Sequence, residues 1–230
     1  MNKTGLYPLD AALPERLQEN TERRFPEKFT ATRVTFVRYP RLTDRPMYTD
    51  ESHIIRRILD GETALYEHFL RAYGEQVFRL IVRVVDNRED AEELTQDVFL
   101  KAFEKLPSFR RESSFATWVY AIAYRAALSQ ARKRTYDEHM MDEHELATLS
   151  DTLVDEALDD TTEHRLRLLR KAIPRLATEE QLLVSLFYRE EKSLQEMASI
   201  TGLKEGNLKV KLHRIRKKLY LLMKEEEEKR

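Results

Sequence analysis

Cysteine is absent from the 230 residues of this chain. That excludes disulfides, thiolate metal sites and a cysteine nucleophile, and it fits a reducing interior. Glycine is scarce at five residues, which favours helices over turn-rich sheets. No apolar run approaches the roughly 20 residues needed to cross a bilayer. The first residues also lack the continuous apolar stretch of a signal peptide. The expectation is a cytoplasmic protein with no membrane segment of its own. A charge excess of one sign is missing too. The net charge is −1, so the total says nothing about partners and only the distribution of charge can. No glycine-rich phosphate loop is present. His139, His144 and His164 follow no standard ligand spacing, so neither a metal nor a cofactor is expected. Without a nucleophile or a pair of carboxylates in a recognisable pocket, the chain is not expected to be an enzyme.

What is present is charge and helical period. Asp, Glu, Lys and Arg make up 35% of the chain and apolar residues 41%, a composition suited to helices with one solvated face. The period is not uniform. Residues 1–46 hold five of the seven prolines and no sustained period. They are either a disordered arm or a stretch upstream of a true start at Met47. From Glu51 to about Arg134 apolar residues recur at helical spacing. One stripe contains Ile54, Ile55 and Ile58, and a second runs from Leu65 through Phe69, Tyr73 and Val77 to Ile81. A third helix should follow the turn at Asn87 and run from about Arg88 to Lys105. Pro107 ends it. Ser113 or Ser114 can cap a fourth, which carries Phe115, Trp118, Val119 and Ile122.

Residues 137–163 then hold eleven Asp or Glu and no Lys or Arg. This reads as a flexible acidic linker. The reading is all-α: two small helical domains, 47–135 and 164–224, joined by residues 136–163 and followed by a charged tail at 225–230.

The second domain carries the more telling pattern. Ser193 starts a helix with Leu194, Met197, Ala198 and Ile200. Ala198 is small where two helices must cross closely. Gly202 supplies the left-handed backbone of a tight turn. In the next helix Leu203, Leu208, Leu212 and Ile215 face inward, while Lys209, Lys211, His213, Arg214, Arg216, Lys217 and Lys218 spread over the other faces. A solvated amphipathic helix could carry such a basic stripe. The stripe together with Ala198, Gly202 and the apolar spacing describes a helix-turn-helix, whose second helix fits the major groove of duplex DNA.

Two further strings give the chain a family resemblance. The run DAEELTQDVFLKAF from Asp90 and the run FRRESSFATWVY from Phe109 resemble region 2 of bacterial RNA polymerase sigma factors. The run EGNLKVKLHR from Glu205 resembles sigma region 4. With only these two regions, joined by a linker, the layout is that of the extracytoplasmic-function (ECF) subfamily of the sigma-70 family.

The resemblance implies a protein that binds core RNA polymerase and directs promoter-specific initiation. Asp90, Glu93, Gln96, Asp97 and Phe99 would dock on the β′ clamp helices. The second domain would meet the β flap. Phe109, Arg110, Arg111, Ser113, Ser114, Tyr120 and Arg125 would hold the −10 element as a melted single strand, with Arg132, Lys133 and Arg134 on its backbone. Trp118 reads as core rather than as a stacking platform. Asn207, Lys209, Lys211, His213, Arg214 and Lys217 would read the −35 element as duplex. Lys204 stands where the family often has a capping Ser or Thr, and a lysine side chain accepts no amide hydrogen bond. The start of that helix should then shift to Asn207 or rely on the backbone. An anti-sigma factor would be a further partner. The competing reading is a stand-alone helix-turn-helix regulator, which would have no use for an acidic docking helix followed by an aromatic and basic loop.

Overall fold

The structure, a computed structural model, describes residues 51–85, 87–132, 149–151, 154, 155, 158 and 162–229. The arm 1–46, Lys133, Arg134 and most of the linker lie outside the described residues. Among those described, helices are joined by short turns and no strand occurs.

Four helices build the first region: α1 (Glu51–Leu59), α2 (Glu67–Ile81), α3 (Arg88–Lys105) and α4 (Phe115–Arg132). Each begins or ends for a local reason. The Asn87 side chain caps α3 by accepting from the Asp90 amide at 2.6 Å. Pro107 sits in a single 3₁₀ turn, Leu106–Ser108, that closes α3. Of the two candidate serines it is Ser114 that caps α4, its hydroxyl accepting from the Thr117 amide at 3.1 Å. The core of this region is aromatic. Phe69 stacks on Phe115 with ring centroids 4.0 Å apart, and Phe109 and Trp118 lean on the same cluster. The Tyr66 hydroxyl donates to the Phe99 carbonyl at 2.8 Å, pinning the turn before α2 to α3.

The second region comprises α5 (Glu163–Ala172), α6 (Thr178–Val184), α7 (Leu194–Thr201) and α8 (Glu205–Glu228). Pro174 interrupts the helical path between α5 and α6 in a 3₁₀ turn. A single π turn, Ser185–Arg189, extends α6. Ser193 and Glu196 form a reciprocal capping box at the start of α7. Gly202 ends α7 at φ 78, the left-handed conformation that a glycine adopts at no steric cost. Lys204 takes the N-cap position of α8 with no side-chain bond, so the helix does rely on its backbone there and begins at Glu205.

The two regions are not separate bodies in this structure. Helix α7 packs along α4, α6 also touches α4, and buried residues of both regions form one continuous core.

Candidate nucleic-acid interface

Helix α8 is anchored by Leu208, Leu212, Ile215, Leu219 and Leu222, all buried. That spacing is the i, i+4, i+7 stripe of a helix with one core face. The opposite side of its first turns is open: Glu205, Gly206, Asn207, Lys209, Val210, His213 and Arg214 are exposed. A Cβ added at Gly206 would meet nothing within 4 Å, so packing does not require a glycine there.

The other expected −35 residues are tied within the chain. Lys211 pairs with Glu179 on α6 at 2.9 Å. Lys217 is 8% exposed, and its ammonium donates to the Leu149 carbonyl at 2.9 Å and pairs with Asp151 at 3.0 Å. Asp151 also lies 3.4 Å from His213, and Asp155 pairs with Arg216 at 2.6 Å. The hydrogen bond from Lys217 holds the Asp151 carboxyl below its ordinary pKa. The described part of the acidic segment therefore lies along the basic flank of α8 and leaves its first turns uncovered.

On α3, Glu93 and Asp97 are exposed one turn apart, and Asp90 and Gln96 are half-buried beside them. Leu100 continues the strip, 36% exposed. An acidic stripe with an exposed apolar residue is a surface suited to a partner. Phe99 is not part of it. Its ring is 3% exposed, because residue 99 falls on the core side of α3 together with Val98 and Ala102.

The third expected surface is the loop before α4 and α4 itself. Arg110, Arg111, Ser114 and Arg125 are exposed, Ser113 and Phe109 half-buried. Arg111 holds φ 58, a left-handed conformation uncommon for a residue with a side chain. Trp118 is partly buried and packs against the core, as its core reading anticipated. Arg132 is the final residue of α4.

Tyr120 is fully buried. Its hydroxyl donates to the Glu190 carboxylate of the second region at 2.7 Å. Burial, and then the bond to Glu190, push its phenol pKa far above the ordinary value, so the donor stays protonated. Phe99, Tyr120 and Lys217 are thus the three expected contact residues that the structure encloses. Helical period alone cannot see the element that covers them. Sequence reasoning also passed over Glu190 and Val210. A visible signal existed for the first: α4 is apolar over most of its circumference, Arg125 apart, with Ala121, Ala123, Ala126 and Ala127 interleaved among the large residues, and such a helix needs cover on more than one side.

Comparison with known proteins agrees with this architecture. Sigma-70 region 2 matches residues 69–136, and sigma-70 region 4 matches residues 166–219. The RNA polymerase sigma factor YlaC of Bacillus subtilis is 31% identical over 156 residues, 66% of this chain and 88% of that protein. The ECF RNA polymerase sigma factor SigW of the same organism is 26% identical over 172 residues, 72% of this chain and 92% of that protein. The sigma factor RpoE of Bartonella quintana, solved in complex with the anti-sigma factor NepR, shares the fold. Its TM-score is 0.51 at 21% identity, covering 69% of this chain and 96% of that one. The chain belongs to the sigma-70 family of RNA polymerase sigma factors, within its ECF group. Sigma factors are non-enzymatic initiation factors, so this protein acts by directing a polymerase rather than by catalysing a reaction. Among the described residues no helix is long and apolar enough to cross a membrane.

Proposed function

We propose that this sigma factor reads a promoter at two points, the −35 element as duplex through α8 and the −10 element as melted single strand through the loop 107–114 and α4. The observation that carries the reading is the open face of α8. Asn207, Lys209, Val210, His213 and Arg214 form an exposed basic patch on a helix whose other face is locked in the core. Cations there would neutralise phosphates and release counterions, while side chains at the groove floor meet base edges. At the −10 element Arg110, Arg111 and Arg125 would track the strand, with Phe109, Ser113 and Ser114 beside them. Arg132, Lys133 and Arg134 would extend the path along the backbone. Tyr120 joins this surface only if the second region moves away from α4.

The stripe of Asp90, Glu93, Gln96, Asp97 and Leu100 would dock on the β′ clamp helices of core polymerase, with the second region on the β flap. An anti-sigma factor is proposed as a further partner, because the related RpoE is solved with one.

Transcription in vitro with purified core polymerase and a promoter library tests the reading. The expected result is transcripts starting at a defined distance from a shared pair of sequence elements. Duplex binding without promoter-specific transcripts would instead mark a stand-alone regulator. Glu93→Lys with Asp97→Lys should abolish transcription while leaving duplex binding by the free chain intact.

A further inference from the structure

We propose that Glu190 is a latch that holds the second region closed on α4, keeping the free chain in a resting state that opens before DNA is read. The contact joins positions far apart in sequence. Glu190 accepts from the Tyr120 hydroxyl at 2.7 Å, 70 residues away, and from Arg79 of α2 at 3.3 Å, 111 residues away. Its side chain is only 5% exposed. Lys192 completes the grip, its ammonium 4.8 Å from the centre of the Tyr120 ring. One tyrosine of the first region is thus held at its hydroxyl and over its face by two residues of the second.

The backbone that presents these two residues is unusual. The π turn Ser185–Arg189 precedes Glu190, and Glu191 holds φ 49. The Lys192 amide then returns to the Leu186 carbonyl at 3.0 Å. π turns are frequent at functional sites, and a left-handed residue with a side chain is strained. The sequence accepts both here, and the result places Glu190 and Lys192 on either side of Tyr120.

The chemistry suits a contact that must release. Enclosing a carboxylate costs desolvation, which its pairing offsets only in part, so an ionic latch adds less net stability than an apolar one of the same size. On opening, Glu190, Arg79 and Tyr120 each regain water as a partner. Closure also covers α4, where Val119 through Tyr124 are buried without a break. That the covered face is one that DNA needs rests on the proposed function, but closure itself does not.

The absence of cysteine makes a direct test simple. Arg71→Cys on α2 and Lys224→Cys on α8 place one spin label on each region, at side chains 59% exposed. Pulsed electron spin resonance on the full chain should give one narrow distance distribution. Glu190→Gln, which keeps the shape and removes the charge, should broaden it toward longer distances, and Arg79→Met should do the same. Helical circular dichroism should stay at the wild-type level in both. Binding of a fluorescent single-stranded oligonucleotide of mixed sequence should tighten in Glu190→Gln. If one molecule in about ten is open in the wild type, the gain is about tenfold. A broad wild-type distribution would overturn the closed state. A narrow distribution unchanged in both variants would overturn the role of Glu190. Failure of promoter-directed transcription alongside the expected distances would defeat the proposed function and leave the latch standing.

Discussion

Helix α4 buries Val119 through Tyr124 without interruption, whereas α8 buries only Leu208 and Leu212 among residues 205–214. Both helices carry residues expected to meet DNA, yet one is enclosed and the other half open. The reason lies in their neighbours. Helix α8 has core on one side and solvent on the other. Helix α4 has the aromatic core of its own region beneath it and α7 of the second region above it. A reader of duplex DNA needs only a rigid helix with a free face, and α8 has one in the closed arrangement. Of the surface proposed to hold a melted strand, Arg110, Arg111 and Arg125 are already open, whereas Tyr120 must be uncovered first.

The contrast can be broken most severely at the core that both helices share. Phe115→Ala should cost about 3–5 kcal/mol and Leu208→Ala about 2–5 kcal/mol, as expected for fully buried side chains. Because opening of the latch leaves the helices of each region formed, urea unfolding should show Phe115→Ala lowering the midpoint of the first region more than that of the second, and Leu208→Ala the reverse. A single transition that both variants shift equally would mean that the regions cannot part without unfolding, and would count against opening of the cover on α4.

The next effect separates the two surfaces proposed to meet DNA. Lys209→Ala should weaken duplex binding and lower the slope of log affinity against log salt by about 1. Arg110→Ala should leave duplex binding by the free chain unchanged and weaken single-strand binding. Fluorescence anisotropy over a salt series reads both, and equal effects of the two variants on duplex would erase the distinction.

A smaller change tests how α7 is seated against α4. Ser193→Ala removes the hydroxyl that accepts from the Glu196 amide at 3.2 Å, and loss of such a cap costs about 1 kcal/mol. The melting temperature should fall, and single-strand binding should rise slightly if fraying of α7 loosens its cover of α4. The smallest expected effect is at Gly206. Alanine there meets nothing within 4 Å and should stabilise the helix by about 0.5–1 kcal/mol. If the backbone approaches DNA at this turn, Gly206→Ala should at the same time weaken duplex binding. A gain in stability with unchanged binding would place the groove contact further along α8.

Much of the fold was legible because its signals are local. The period of Ile54, Ile55 and Ile58, the stop at Pro107, the cap at Ser193 and the left-handed turn at Gly202 each act within a few residues. The bounds Arg88–Lys105 for α3 follow from Asn87 and Pro107 alone. The resemblance of the runs from Asp90, Phe109 and Glu205 to sigma regions was legible for the same reason. The enclosed residues were not. Phe99 and Lys217 sit on faces whose cover comes from the packing of other segments. Tyr120 was expected among the −10 contacts, and nothing near it in sequence points to its partner at position 190.

The sequence by itself determined an all-helical chain with two sigma regions, an aromatic and basic loop before α4 and a basic helix anchored by leucines. These follow from spacing, capping and composition, which are short-range physics. Only the tertiary structure decided that the regions close on each other, that Tyr120 faces Glu190 rather than solvent, and that Asp151 and Asp155 lie along α8. Those pairings span dozens to more than a hundred residues. Whether such distant groups meet depends on the joint packing of every helix between them, and no local pattern encodes it.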